Sequence, residues 1–174
     1  TELGSIKINK EERTKMLKTI PRNSIIGFLI GVLPGAGATI ASFLAYGMER
    51  NLVSDEEKEK FGKGSVHGLA APETANNAAC SGAFVPLLTL GIPGSGTTAV
   101  MLGALLGFGI QPGPRLYVTN PEIFWSVIMS MYIGMVILLI LNLPLIPYIA
   151  RILAVPKNYL IPLILFFSIT GIYV

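Results

Sequence analysis

Three polar side chains stand in a run of sequence that is otherwise apolar enough to enter a bilayer. Between residues 70 and 99 the chain carries Glu73, Asn76 and Asn77 among alanines, leucines and glycines. Ionisable and amide groups at membrane depth persist where they face a polar cavity or a partner, so their default reading is a functional site. Amide carbonyls can ligate sodium and amide N–H groups can donate to a carboxylate. Asn76 and Asn77 are therefore candidate sodium ligands, and with Glu73 they form a candidate cation-coupling set. Glu73 also has a structural reading, compatible with the first, as an acid in the opening turn of a helix begun by Pro72.

A second constellation is repeated. Leu-Pro-Gly-Ala-Gly-Ala-Thr at 33–39 and Ile-Pro-Gly-Ser-Gly-Thr-Thr at 92–98 match at Pro, Gly, Gly and Thr with a constant offset of 59. Each puts a glycine-rich tip before a helix start, where unbonded N–H groups and the positive end of the helix dipole suit an anion and a threonine hydroxyl adds a donor. The candidate substrate ligands are Pro34, Gly35, Gly37 and Thr39 in the first tip, and Pro93, Gly94, Ser95, Gly96, Thr97 and Thr98 in the second. Two such tips could pinch one anionic substrate. The competing reading is that the glycines merely permit tight packing; the duplication favours binding.

Other chemistry is weaker. The segment Gly-Ser-Gly-Thr-Thr-Ala at 94–99 fits a dinucleotide fingerprint in form, but no acid stands about twenty residues downstream, the next being Glu122. An intramembrane hydrolase would need Ser95 and His67 to meet, although they belong at different depths and no acid is placed in sequence to orient the histidine. A structural membrane scaffold would explain the glycines and not the polar trio. Cys80 is most simply a small packing residue. No catalytic residue and no cofactor are assigned, and a coupling ion would be sodium or a proton.

These residues need elements that hold them inside a membrane. Of 174 residues 52% are hydrophobic and 13% charged, with a mean hydropathy of +0.64, which points to an integral membrane protein. The net charge of +3 is a topology signal, because six basic residues lie in 7–22 and four more in 50–63. Nucleic-acid binding would want a basic stripe on a soluble face, so no nucleic-acid partner is expected. One cysteine permits no internal disulfide. No signal peptide is read, since no short apolar segment with a cleavage site follows the basic start.

In order, residues 1–22 predict a cytoplasmic basic segment (Lys7, Lys10, Arg13, Lys15, Lys18, Arg22) ending at Pro21, and residues 23–174 a transmembrane transport region. The uncharged run 24–48 is cut by Pro34, Gly35 and Gly37 into halves that each reach about 15 to 18 Å, roughly the midplane. With Lys and Arg on both flanks, a re-entrant hairpin competes with a single broken span. Residues 49–65 predict a cytoplasmic loop with Ser54 and Glu57 as a capping box. Pro72, Gly82, Pro86, Gly91, Pro93, Gly94 and Gly96 must break the next stretch, and Gly103 and Gly107 are spaced for close helix packing. Residues 111–114 predict a hard turn. Pro121 opens a helix whose apolar run 123–143 spans the membrane with Trp125 as an anchor, to be ended or kinked by Pro144 and Pro147. Arg151 and Lys157 mark an interface before a further span from Tyr159, and a chain stopping inside that span is expected to be part of a longer polypeptide. The fold class is an all-α integral membrane protein, a multi-span helical bundle with broken helices or re-entrant hairpins at Pro-Gly-rich tips.

Nearly the whole chain resembles the C-terminal half of the large membrane subunit of the tripartite tricarboxylate transporters. The resemblance rests on Gly-Val-Leu-Pro-Gly-Ala-Gly-Ala-Thr-Ile-Ala at 31–41, Phe-Gly-Lys-Gly at 61–64, Ala-Pro-Glu-Thr-Ala-Asn-Asn-Ala at 71–78, Leu-Thr-Leu-Gly-Ile-Pro-Gly-Ser-Gly-Thr-Thr-Ala at 88–99 and Gln-Pro-Gly-Pro at 111–114. It implies a multi-pass importer of carboxylates in the bacterial inner membrane, driven by an ion gradient. It also implies a small membrane subunit and a periplasmic substrate-binding protein as partners, and an N-terminal half with a related Pro-Gly element. Arg115 stands where that pattern wants an apolar residue and takes no role from it.

Overall fold

In the computed structural model, which describes residues 8–150 and 156–173, every regular element among the described residues is an α-helix. The chain divides into two compact units, residues 7–129 and the remainder. Lys7 and Arg151, named above as basic markers, lie outside the described residues.

The first unit is built on α1 (Lys10–Val32), α2 (Gly37–Leu52) and α4 (Val66–Gly82), with the short α3 (Asp55–Lys58) between the last two. Asn9 starts α1 by a reciprocal cap with Glu12, its Oδ1 accepting from Glu12 N at 2.7 Å and its N–H donating to the Glu12 carboxylate at 2.9 Å. The helix then runs through Pro21 rather than ending there. Proline removes one backbone donor, and here the basic first half and apolar second half form one rod of about 35 Å at 1.5 Å per residue. The chain reverses at residues 33–36, so α2 returns antiparallel beside α1.

Helix α4 joins this hairpin parallel to α1. Contacts of Thr19 with His67, Gly27 with Ala75 and Gly31 with Ala79 share one offset of 48 residues. The axes come close because small residues face each other. A Cβ on Gly27 would lie 2.5 Å from Ala75 Cα, and one on Gly31 2.6 Å from Ala79 Cα. Ala41, Ala45, Ala75 and Ala79 form the buried seam, with Ile30 and Ala38 against it. Facing small residues let helix backbones approach closely, so that packing contacts rather than large side chains hold the helices together. Such approach occurs at Gly27, Gly31 and Gly82, whereas nothing stands within 4 Å of a Cβ built on Gly103 or Gly107, so the close packing expected there is not formed within the described chain.

The 53–65 connection is tied down at three points. Glu57 accepts from Lys15 at 3.1 Å and from Lys60 at 2.7 Å, Tyr46 and Phe61 meet edge to face at 5.2 Å, and Phe61 Cδ1 lies 3.2 Å from a Cβ built on Gly68. Ser54 is the N-cap of α3 by position, but its side chain makes no cap bond. The expected box with Glu57 is absent because Glu57 is turned to the two lysines. Those lysines hold the Glu57 carboxyl below its usual range, Lys60 contributing most.

The expected breaks after residue 82 are present as α5 (Phe84–Leu90), α6 (Gly96–Gly107) and the bend between them. Gly91 ends α5 at φ +70° with Pro112 O 2.8 Å from where its Cβ would be, so the 111–114 turn rests on the end of α5. A single turn, α7 (Leu116–Thr119), leads to α8 (Pro121–Ala150). Among the described residues, Pro121–Ile146 is the one helix long and apolar enough to cross a membrane. Helix α8 begins at Pro121 as its sequence predicts, yet continues through Pro144 and Pro147. Each proline deletes one backbone hydrogen bond of the helix. In the second unit, α9 (Lys157–Tyr173) contains Pro162 and an exposed apolar surface.

Candidate functional site

Where α2 ends, a carboxylate is buried. Glu49 is 1% exposed and is met from both neighbouring helices. Arg22 Nη2 donates to both of its oxygens at 2.6 and 2.7 Å, Asn23 Nδ2 donates at 2.9 Å and Thr19 Oγ1 at 3.0 Å, all from α1. From the first turn of α4, His67 Nδ1 lies 3.0 Å from Glu49 Oε1 and 2.7 Å from Thr19 Oγ1. Because the threonine proton is directed at Glu49, the short His67 contact makes Nδ1 the protonated nitrogen, donating to this oxygen pair. Burial raises the Glu49 pKa, but the bonds from Arg22, Asn23 and Thr19 and the Arg22 charge outweigh it, leaving the carboxyl below its usual range. Glu49 thus lies outside the apolar segments as a fixed anion clasping three helices.

This network was not foreseen. Its signal is the spacing of Thr19, Arg22 and Asn23, which places them on one face of α1, but its partners lie 26 to 48 residues away in sequence. It also corrects the reading that no acid orients His67, since Glu49 does. The partner of Ser95, in contrast, is Thr98, so the serine and histidine of the hydrolase reading are each engaged elsewhere.

At the opposite end of the bundle lie the two Pro-Gly tips. Gly94 is buried, and a Cβ there would stand 3.1 Å from Ala83 Cβ and 3.4 Å from Gly31 O. Since Gly31 lies three residues before Pro34, the second tip packs where α1 runs into the first. The tips differ in their caps. Ser95 begins α6 with a reciprocal box: Thr98 N donates to Ser95 Oγ at 3.2 Å and Ser95 N to Thr98 Oγ1 at 2.8 Å. Buried Thr98 therefore serves the fold, and the free donors at this tip are the Gly96 and Thr97 N–H groups with the exposed Thr97 hydroxyl. In the first tip Ala36 is the N-cap of α2 and provides no side-chain cap, leaving the N–H groups of Gly37, Ala38 and Thr39 uncapped; Pro34, Gly35 and Thr39 are exposed. Gly35 and Gly37 take positive φ, 82° and 67°.

The polar trio lies on α4 between these ends. Asn76 Nδ2 donates to Ser42 Oγ at 3.2 Å, and Ser42 Oγ donates to Ala38 O at 3.0 Å and lies 3.2 Å from Pro72 O. Asn77 Nδ2 donates to Glu73 O at 3.0 Å, and both Asn77 and Glu73 are exposed. Glu73 is not in a first turn, because Ser65 caps α4 upstream by accepting from Gly68 N at 3.1 Å. Asn76 and Asn77 diverge: one faces α2 and the other leaves the bundle. Cys80 is exposed rather than packed, its Sγ 4.0 Å from Asn76 Oδ1.

Residues 1–174 match the model of the family described as "Tripartite tricarboxylate transporter TctA family". The chain is 43% identical over 166 residues to an uncharacterized 52.8 kDa protein of the TAR-I ttuC′ 3′ region of Agrobacterium vitis, covering 95% of this chain and 33% of that one. It is 46% identical over 147 residues to an uncharacterized protein of the TAR-II ttuC′ 3′ region of the same organism, covering 84% of this chain and 60% of that one. The chain therefore spans about a third and three fifths of these two relatives. No solved structure matches it. With its helical fold, its paired tips and this full-length match, the chain belongs to the tripartite tricarboxylate transporter TctA family.

Proposed function

We propose that this chain is part of the permease subunit of a secondary transporter that imports carboxylates across the bacterial inner membrane. The observation that carries the reading is the packing of Gly94 against Gly31 and Ala83, which sets the second Pro-Gly tip beside the first. Two glycine-rich helix starts, one following α1 and one packed by Gly94 on the end of α1, supply N–H groups for an anion in segments, 23–49 and 64–114, that contain no Lys or Arg. Irregular backbone at membrane depth is tolerated where it lines such a site, and discontinuous helices in paired repeats are a common way of building it. The substrate carboxylate is held by Gly37 and Thr39 on one side and by Gly96 and Thr97 on the other, with Pro34, Gly35, Pro93 and Gly94 shaping the turns and Ser95 and Thr98 fixing the second helix start.

The membrane topology is multi-span. The α1–α2 hairpin is re-entrant, with its basic end at the cytoplasmic surface and residues 33–36 near the midplane, in accord with the lysines and arginines of 10–22 and 50–63. Asn76 and Ser42, joined across α2 and α4, hold a coupling cation with Glu73 and Asn77 nearby. A cation bound there neutralises part of the substrate charge, so each ligand strengthens the other. A small membrane subunit and a periplasmic binding protein complete the transporter.

Uptake of labelled carboxylates by the complete transporter, under a sodium gradient and a proton gradient applied separately, tests this reading. Accumulation dependent on one gradient supports it. Carboxylate accumulation that ignores both gradients, or loss of none of it when residues 34–37 are replaced, overturns it.

A further inference from the structure

The charged end of the first unit contains a cavity of about 280 Å³ between α1, the α2–α3 connection and the start of α4. Lys15, Lys18 and Arg22 line it from one face of α1, Ser54 and Glu57 from the connection and α3, and His67 from α4. Its charges do not balance. Arg22 matches buried Glu49, and Glu57 is held by Lys15 and Lys60, but Lys18 enters no ion pair among the described residues. Arg22 also has donors to spare: both its bonds to Glu49 leave from Nη2, and the side chain is 39% exposed. The Ser54 hydroxyl, which makes no cap bond, adds a neutral donor.

We propose that this cavity binds a phosphoryl group. A tetrahedral oxyanion presents oxygens in several directions, so it can meet Arg22 Nη1, the Lys18 ammonium and the Ser54 hydroxyl together, which a planar carboxylate cannot do as well. The charge of Glu57, which also lines the cavity, is offset by Lys15 and Lys60, both bonded to its Oε1. The volume admits such a group. The phosphoryl group comes either from a phospholipid headgroup or from free phosphate. The cavity itself does not depend on the transport reading, and only the lipid source rests on the membrane topology proposed above.

The test uses the full-length permease in neutral detergent, with thermal unfolding followed as inorganic phosphate is titrated at constant ionic strength. In parallel, short-chain phosphatidylglycerol is compared with phosphatidylcholine. The expected result is a rise in Tm that saturates, with an apparent Kd weakened about fivefold by Lys18→Gln, as the loss of one partly exposed charge contact implies. Lys18→Arg restores it, and Arg115→Gln, at an exposed cation elsewhere, leaves it unchanged. Protection by phosphatidylglycerol alone assigns the headgroup, and equal protection by phosphate assigns the free anion. No protection by either, or protection equal in Lys18→Gln and the parent protein, overturns the proposal. Saturable protection in a protein that shows no gradient-driven uptake would leave this site standing and remove the transport reading.

Discussion

Replacing Glu49 by alanine removes a buried charge on which α1, α2 and α4 converge. In the folded protein its carboxylate accepts from Arg22, Asn23 and Thr19 and faces His67. Truncation leaves the Arg22 charge and two buried neutral donors without their acceptor. Removing one partner of a fully buried pair costs about 3 to 5 kcal/mol, but the Arg22 side chain is 39% exposed, so its remaining charge is partly solvated and contributes less than that. Thr19 and Asn23 are 0% exposed, so water replaces their acceptor poorly, and a total loss of about 3 kcal/mol is expected. Glu49→Gln keeps the shape and one acceptor but loses the charge, and should cost about half as much. The dependence on pH has a fixed sign. A carboxyl depressed in the folded state stabilises fully above its unfolded value of about 4.3, and that contribution is lost as pH falls through the folded value. The assay is denaturant or thermal unfolding of the full-length protein in detergent, from neutral pH down to the carboxylate range, comparing parent, alanine and glutamine variants. An alanine variant within about 1 kcal/mol of the parent, or one whose acid sensitivity equals the parent's, would refute the assignment of Glu49 as the clasp.

Gly31→Val should destabilise by about 1 to 3 kcal/mol, because its side chain would meet Ala79 backbone rather than a movable side chain; the same unfolding assay reads it, with Gly103→Val, which meets nothing within 4 Å, as the contrast. Thr97 and Thr98 should separate cleanly. Thr98→Val removes the side-chain half of the α6 capping box, leaving Thr98 N bonded to Ser95 Oγ, and costs about 1 kcal/mol of stability, whereas Thr97→Val leaves stability unchanged and weakens carboxylate binding by several-fold, read by substrate protection against unfolding. Asn76→Ala should weaken cation-dependent uptake more than Asn77→Ala, since Asn76 joins Ser42 of α2 while Asn77 bonds only within its own helix; equal and unchanged cation dependence in both variants would sink the coupling site.

Composition and local pattern were enough to read the helical class, the breaks at 33–36 and 91–95, the start of α8 at Pro121 and the family, because each depends on signals within a few residues: apolar runs, Pro-Gly pairs and long specific motifs. Helix limits set by a cap a few residues further off were missed, as at α4, where Ser65 rather than Pro72 makes the start. Other features arise between segments distant in sequence. The register of α1 on α4 decides which glycines are pressed against backbone, so Gly27 and Gly31 pack closely while Gly103 and Gly107 do not. The same register carries His67 to Glu49 and Thr19, turning a lone histidine into part of a buried anion site. Only the tertiary structure could separate the two asparagines, since neighbours on a helix point about 100° apart and the position of α2 alone determines which of them meets a partner.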